Sequence, residues 1–149
     1  MQFVGIDLSL TATGFLVLDS NGGVVHQEII STNSKQLIED RISYITNKIL
    51  SSLRREDRIF IEGLSFGSQG NSLMELAGLH YYLRTHLKQK GFTFKVISPS
   101  SLKKFMTGKG NCKKDLVLLN VYKKFGVEFC DSNLADAYVL ARMALEEFK

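Results

Sequence analysis

The chain has 149 residues, 44% apolar and 23% charged, with a single proline and a net charge of +4, values that fit one globular domain able to bury a core. No apolar run approaches the ~20 residues of a membrane span. The N-terminus enters a strand pattern without a basic segment, so neither a membrane association nor a signal peptide is expected. Cys112 and Cys130 form no CxxC motif and read as free thiols of a reducing, cytoplasmic compartment.

Residues 2–8, 13–19 and 24–31 read as three strands, the last two joined by Asn21-Gly22-Gly23, whose residues tolerate the positive φ of a hairpin turn. Asn33-Ser34 is expected to cap a helix whose apolar residues, from Leu37 to Leu53, keep helical spacing. The charged run Arg54–Arg58 leads into a strand over 59–64. After the polar loop 67–71, Asn71 or Ser72 should cap a second helix. Its buried face is Leu73, Leu76, Ala77, His80, Leu83 and Leu87, and Gly91 is its stop. His80 reads as a packed residue, not a ligand. Leu79, Tyr81 and Tyr82 fall outside that face; such surplus apolar surface marks either a contact with a second chain or packing beneath the 67–71 loop.

A fifth strand covers 92–97. Ser98-Pro99 opens a short helix to Met106, and Thr107–Gly110 makes a turn. Asn111 is expected to cap a helix from Cys112 to Phe125, ended by Gly126, and a last helix runs from about Asp131 to Phe148. The order βββ-α-β-α-β-α-α-α implies an α/β domain spanning 1–149. It predicts a mixed five-stranded sheet, a three-stranded antiparallel meander plus two parallel strands, with helices on both faces.

Three acids stand inside apolar stretches: Asp7 at the end of the first strand, Glu62 after Arg58-Ile-Phe-Ile61, and Asp136 among Leu134, Ala135, Ala137 and Tyr138. Each alone could be a strand end or an ion-pair partner. Together they suggest one oxygen-ligand site for a hard cation such as Mg²⁺, because isolated buried carboxylates are costly. Between Lys103 and Lys124 seven lysines face a single acid, Asp115, leaving that window at +6 and the remainder at −2. A basic stretch of this kind suits an anionic polymer; read alone, it could equally be a solvated helix face.

Four segments resemble the RuvC family of Holliday-junction resolvases, in the form of a compact phage-type member: Gly5–Gly14, Ile59–Glu62, Leu102–Asp115 and Asn133–Ala141. The third, with its Lys-x₄-Gly-x-Gly-x₃-Lys spacing, is the most distinctive. The resemblance implies a ribonuclease H-like fold and a homodimeric endonuclease of a bacterial or phage-infected cell. Such an enzyme cuts branched DNA, typically a four-way junction, with Mg²⁺ as cofactor and Mn²⁺ able to substitute. It implies Asp7, Glu62 and Asp136 as catalytic carboxylates and metal ligands, and Lys103 and Lys114 as catalytic cationic residues near the scissile phosphate. Lys104, Lys109 and Lys113 would be DNA contacts, and Phe66 an aromatic stacking at the junction centre, a match displaced by one residue. The family's last helix usually carries two acids three residues apart. Here the first is Asn133, which can offer a carbonyl oxygen but no charge. Asp131 is the alternative ligand, though it lies ~500° of helical rotation from Asp136 and suits an N-cap better.

Other readings remain at this point. An actin-like kinase or ATPase also opens with a Gly-Ile-Asp strand but needs two such domains. A YqgF-like RNA-processing nuclease shares fold and acids, and Asn133 allows a catalytically impaired junction-binding module.

Overall fold

The computed structural model describes residues 1–65 and 70–149. Strands β1 (Phe3–Asp7), β2 (Ala12–Leu18) and β3 (Val24–Ser31) form the antiparallel meander. Then come α1 (Ile38–Ser51), β4 (Arg58–Glu62), α2 (Asn71–Gln89), β5 (Thr93–Ile97), α3 (Pro99–Thr107), α4 (Lys114–Phe125) and α5 (Ser132–Glu147). The sheet order is β3-β2-β1-β4-β5, with β4 parallel to both β1 and β5, so β1 lies at the centre of the expected mixed sheet.

Alternation along the strands divides the interior into two cores. Val4 and Ile6 of β1 and Ile59 and Ile61 of β4 pack under α1 and α2 with Ile45, Ile49, Leu79 and Leu83. Phe3 and Phe60 point the other way, into a core built with Leu102 and Met106 of α3, Val117 and Val121 of α4, and Tyr138 and Leu145 of α5. The period of two therefore sends Gly5, Asp7 and Glu62 toward the α3–α5 face. The parallel register, which pairs Ile6 with Ile61, brings Asp7 and Glu62 to the same strand ends.

Helix α5 crosses that face at unusually short range. A methyl group on Gly5 would lie 1.8 Å from the Ala137 carbonyl oxygen, and one on Gly14 would lie 2.2 Å from that of Asn133. Only glycine admits the helix backbone here. The β1–β2 turn is equally fixed. The Thr13 hydroxyl donates to the Ser9 carbonyl at 2.6 Å and accepts from the Ser9 amide at 3.1 Å, while Ser9 Oγ accepts from the Thr11 and Ala12 amides.

Four local expectations are corrected. Helix α1 starts at Ile38, after Leu37, not at Asn33-Ser34. Asn33 instead closes a turn, its side-chain oxygen accepting from the Lys35 amide while its own amide donates to Gln36 Oε1. The residue preceding α2 is Gly70, and neither Asn71 nor Ser72 caps it. Helix α4 starts at Lys114, without the Asn111 cap. Leu79, placed by sequence outside the apolar face of α2, is wholly buried, whereas Tyr81 and Tyr82 are exposed. Asp131 does cap α5, its carboxylate accepting from the Asn133 and Leu134 amides at 2.8 and 3.2 Å.

Candidate metal centre

At the carboxyl ends of β1 and β4, beside the first turns of α5, the three dispersed acids converge. One carboxylate oxygen from each of Asp7, Glu62 and Asp136 lies within 4.8 Å of the other two. Asp7 and Asp136 are each only 8% exposed. Burial is the largest cause pushing the Asp7 carboxyl up to about 9, followed by the charge of Glu62, a hydrogen bond between those two carboxyls, and the charge of Asp136. Burial and Glu62 raise Asp136 to about 7, against the opposing pull of Lys114 and Lys103. A site that strains to keep its protons is one whose charge a cation would relieve. Three hard oxygen donors at this spacing fit a small divalent ion of the Mg²⁺ class.

The acids open into a cavity of about 340 Å³ that Lys103, Lys114 and Asn133 also line. Lys103 comes from the middle of α3, a helix started by Ser98, whose hydroxyl accepts from the Ser101 amide, and by Pro99 at its first position. It ends at Gly108 in the left-handed region. Lys114 opens α4. The two helices pack on each other and on α5, which aims both ammonium groups toward the acids. Asn133 stands one turn before Asp136 on the same helix and faces the same cavity.

Not every expected site residue reaches this centre. Lys104, Lys109 and Lys113 are exposed and lie outside the cavity lining. Asp131 is occupied as a cap and also stays out. Phe66 falls outside the described residues. Conversely, His80 lines the cavity, which its reading as a packed residue did not foresee. The available signal was its helical phase, one turn beyond Leu76 on a helix that begins shortly after Glu62.

A mixed sheet with this strand order, a helix laid across its central strand and acids from β1, β4 and that helix, defines a ribonuclease H-like domain with a candidate cation centre. The chain belongs to the RuvC family: the family model for crossover junction endodeoxyribonuclease RuvC matches residues 3–142. A RuvC of Sulfurovum sp. is 24% identical over the whole chain, covering 98% of that relative. Thermus thermophilus RuvC superposes with a TM-score of 0.79 at 23% identity, over 97% of this chain and 92% of the other. The fowlpox virus Holliday junction resolvase shares the fold with a TM-score of 0.68 at 8% identity, each chain covered in full. Thermus RuvC is also known in complex with a Holliday junction substrate, with a TM-score of 0.78 over 97% of this chain and 90% of that one.

Proposed function

We propose that this protein is a Mg²⁺-dependent endonuclease that resolves four-way DNA junctions as a homodimer. The observation that carries this is the convergence of Asp7, Glu62 and Asp136 within 4.8 Å, in a member of the RuvC family. In this reading those three carboxylates hold the divalent ion, and Asn133 borders it as a neutral donor. When bound, the ion stabilises charge developing on the phosphate and favours attack by water.

The chain's own groups do the rest. Lys103 and Lys114 meet the non-bridging oxygens of the scissile phosphate, offsetting the repulsion that three acids would exert on an incoming polyanion. The buried position of the acids limits competing water. The exposed Lys104, Lys109 and Lys113 contact backbone phosphates further along the arms and contribute salt-dependent affinity.

Symmetric resolution requires two such sites, which a two-fold dimer supplies. The outer face of α2 is the candidate contact. Met74, Tyr81 and Tyr82 follow i, i+7, i+8 spacing and are 73%, 59% and 41% exposed.

The test is nicking of a synthetic four-way junction, with and without Mg²⁺, beside a linear duplex and a structured RNA. Paired nicks in opposing strands of the junction, only with the ion, are expected, together with a dimer mass by light scattering. Cleavage confined to RNA would favour the YqgF-like alternative. Tight junction binding without cleavage in Mg²⁺ or Mn²⁺ would favour a binding module, and a monomer mass in the presence of junction DNA would defeat the dimer.

A further inference from the structure

Lys103 and Lys114 line the same cavity but are held there by different means. Lys103 stands inside α3, where the regular helix fixes its backbone. Lys114 is the first residue of α4, a helix that no side chain caps, so its position follows from the turn before it. That turn contains Gly108 and Gly110, and two glycines in so short a segment open many backbone conformations. A conformation that presents Lys114 to the acids has to be selected from among them.

Thr107, the last residue of α3, is placed to select it. Its hydroxyl oxygen accepts from the Lys109 amide at 3.2 Å. Its single proton has three acceptors within reach: the Lys103 carbonyl at 2.8 Å, the Lys109 carbonyl at 3.0 Å and Cys112 Sγ at 3.3 Å. One oxygen thus touches the helix that carries the first lysine, the middle of the turn, and a residue shortly before the second lysine. Cys112 in turn packs against the core between the sheet and α3–α5. The turn is also closed sterically. A methyl group on Gly110 would lie 3.2 Å from the Ser100 carbonyl oxygen, so the chain folds back against the start of α3.

We propose that Thr107 is a positioning residue for cleavage, its hydroxyl setting the α3–α4 turn in the conformation that directs Lys114 to the phosphate at the acid centre. This rests on the reading of the site as a DNA-cleaving centre. Thr107 does not itself line the cavity, so it acts on the reaction through Lys114. Lys103 does not depend on it, because the backbone of α3 has its own hydrogen bonds. The effect is smaller than that of deleting the ammonium, since the long lysine stem recovers part of a backbone displacement.

The experiment is single-turnover cleavage and equilibrium binding of a four-way junction by Thr107→Val and Thr107→Ser, with Thr107→Val also combined with Lys103→Ala and with Lys114→Ala. Each rate is taken well below the Tm of the variant. Valine keeps the branched shape and removes the hydroxyl, whereas serine keeps the hydroxyl. Thr107→Val should slow cleavage about 3- to 10-fold, the range of one neutral hydrogen bond, with junction Kd and Mn²⁺ affinity unchanged. Thr107→Ser should recover most of that rate. Thr107→Ala, which lacks the hydroxyl without the branch, should match Thr107→Val and stands in for it if valine does not fold. In the Lys114→Ala background Thr107→Val should slow cutting no further, whereas with Lys103→Ala the two factors should multiply. A role in folding alone would act equally in both backgrounds. The inference fails if Thr107→Val and Thr107→Ala cut as the parent does, if the defect persists without Lys114, or if serine is as slow as valine. A parent that cuts no junction overturns the nuclease reading and the inference with it, an outcome distinct from those three.

Discussion

Asp7 and Asp136 are almost sealed from solvent and ride on β1 and α5, and α5 is pressed backbone to backbone against β1 at Gly5 and against β2 at Gly14. Lys113 and Lys114 stand at the exposed start of α4, which no side chain caps, and Lys103 on a nine-residue helix ended by a left-handed glycine. The acids are thus fixed by the centre of the fold, and the lysines by local turn chemistry at its rim. The contrast follows the needs of the two groups. Ion coordination tolerates only tenths of an ångström, which rigid backbone contact can supply. Attraction of a phosphate by an ammonium on a four-carbon stem falls off gently, so approximate placement suffices.

The strongest challenge to that contrast is Asp7→Asn, which should reduce cleavage about 10³-fold, the equivalent of several kcal/mol, while junction binding is kept or improved. A stability measurement checks the same centre without substrate. The Asp7 carboxyl is raised from 3.8 to about 9, so the folded state binds this proton more tightly than the unfolded state. Its stabilising contribution is complete below 3.8 and is lost as pH climbs through about 9. In chelator, the Tm of the parent should therefore decline over that interval more steeply than that of Asp7→Asn. Mg²⁺ should restore the parent at the alkaline end and leave the variant unmoved. Unimpaired cleavage by Asp7→Asn would remove Asp7 from the centre.

Next in size is the division among the lysines. Lys103→Ala and Lys114→Ala should each slow turnover about 10- to 100-fold, as expected for a lost hydrogen bond to a charged group, with little change in affinity. Lys113→Ala should leave turnover intact, weaken binding and flatten the log K against log salt slope by ~0.9. Three variants that bind and cut like the parent would reduce the basic rim to a solvated surface.

The smallest effect sharpens the comparison within α5 itself. Asn133→Asp adds a charged donor one turn before Asp136 and should increase cleavage a few-fold at limiting Mg²⁺ while changing little at saturation. Asp131→Asn, although nearby, should cost stability only, well under the ~1 kcal/mol of a lost cap because asparagine caps nearly as well. A magnesium titration of both variants separates the roles. An unchanged Asn133→Asp profile, or a cleavage defect in Asp131→Asn, would mean that Asp131 is the ligand.

The sequence was most legible where short apolar runs are bounded by turn residues. The runs of β1 and β4, together with the Asn21–Gly23 turn, led to the strand set, and acids within those runs led to the candidate centre. It was least legible at helix starts, because a polar residue ahead of an apolar series can equally serve a turn. Asn33 spends its side chain on the Lys35 amide, and α1 begins only at Ile38. Leu79 misled for a different reason. Helix α2 packs both on the sheet and along its neighbour α1, so its buried arc is broader than a single stripe and takes in a residue that a narrow helical wheel leaves outside. His80 was legible in part: its burial followed from the helical phase, whereas its position in the lining of the acid cavity required the tertiary fold.

The contact of α5 with Gly5 and Gly14 also bears on how freely this domain can change. Where two elements are spaced by interlocking side chains, every exchange of a core residue shifts them slightly. Here the separation is set by main-chain atoms in contact, and main-chain atoms do not mutate. The apolar residues of both cores can therefore be repacked with the acids left in place, and the tolerance ends abruptly at the two positions where any side chain at all would lift the helix off the sheet.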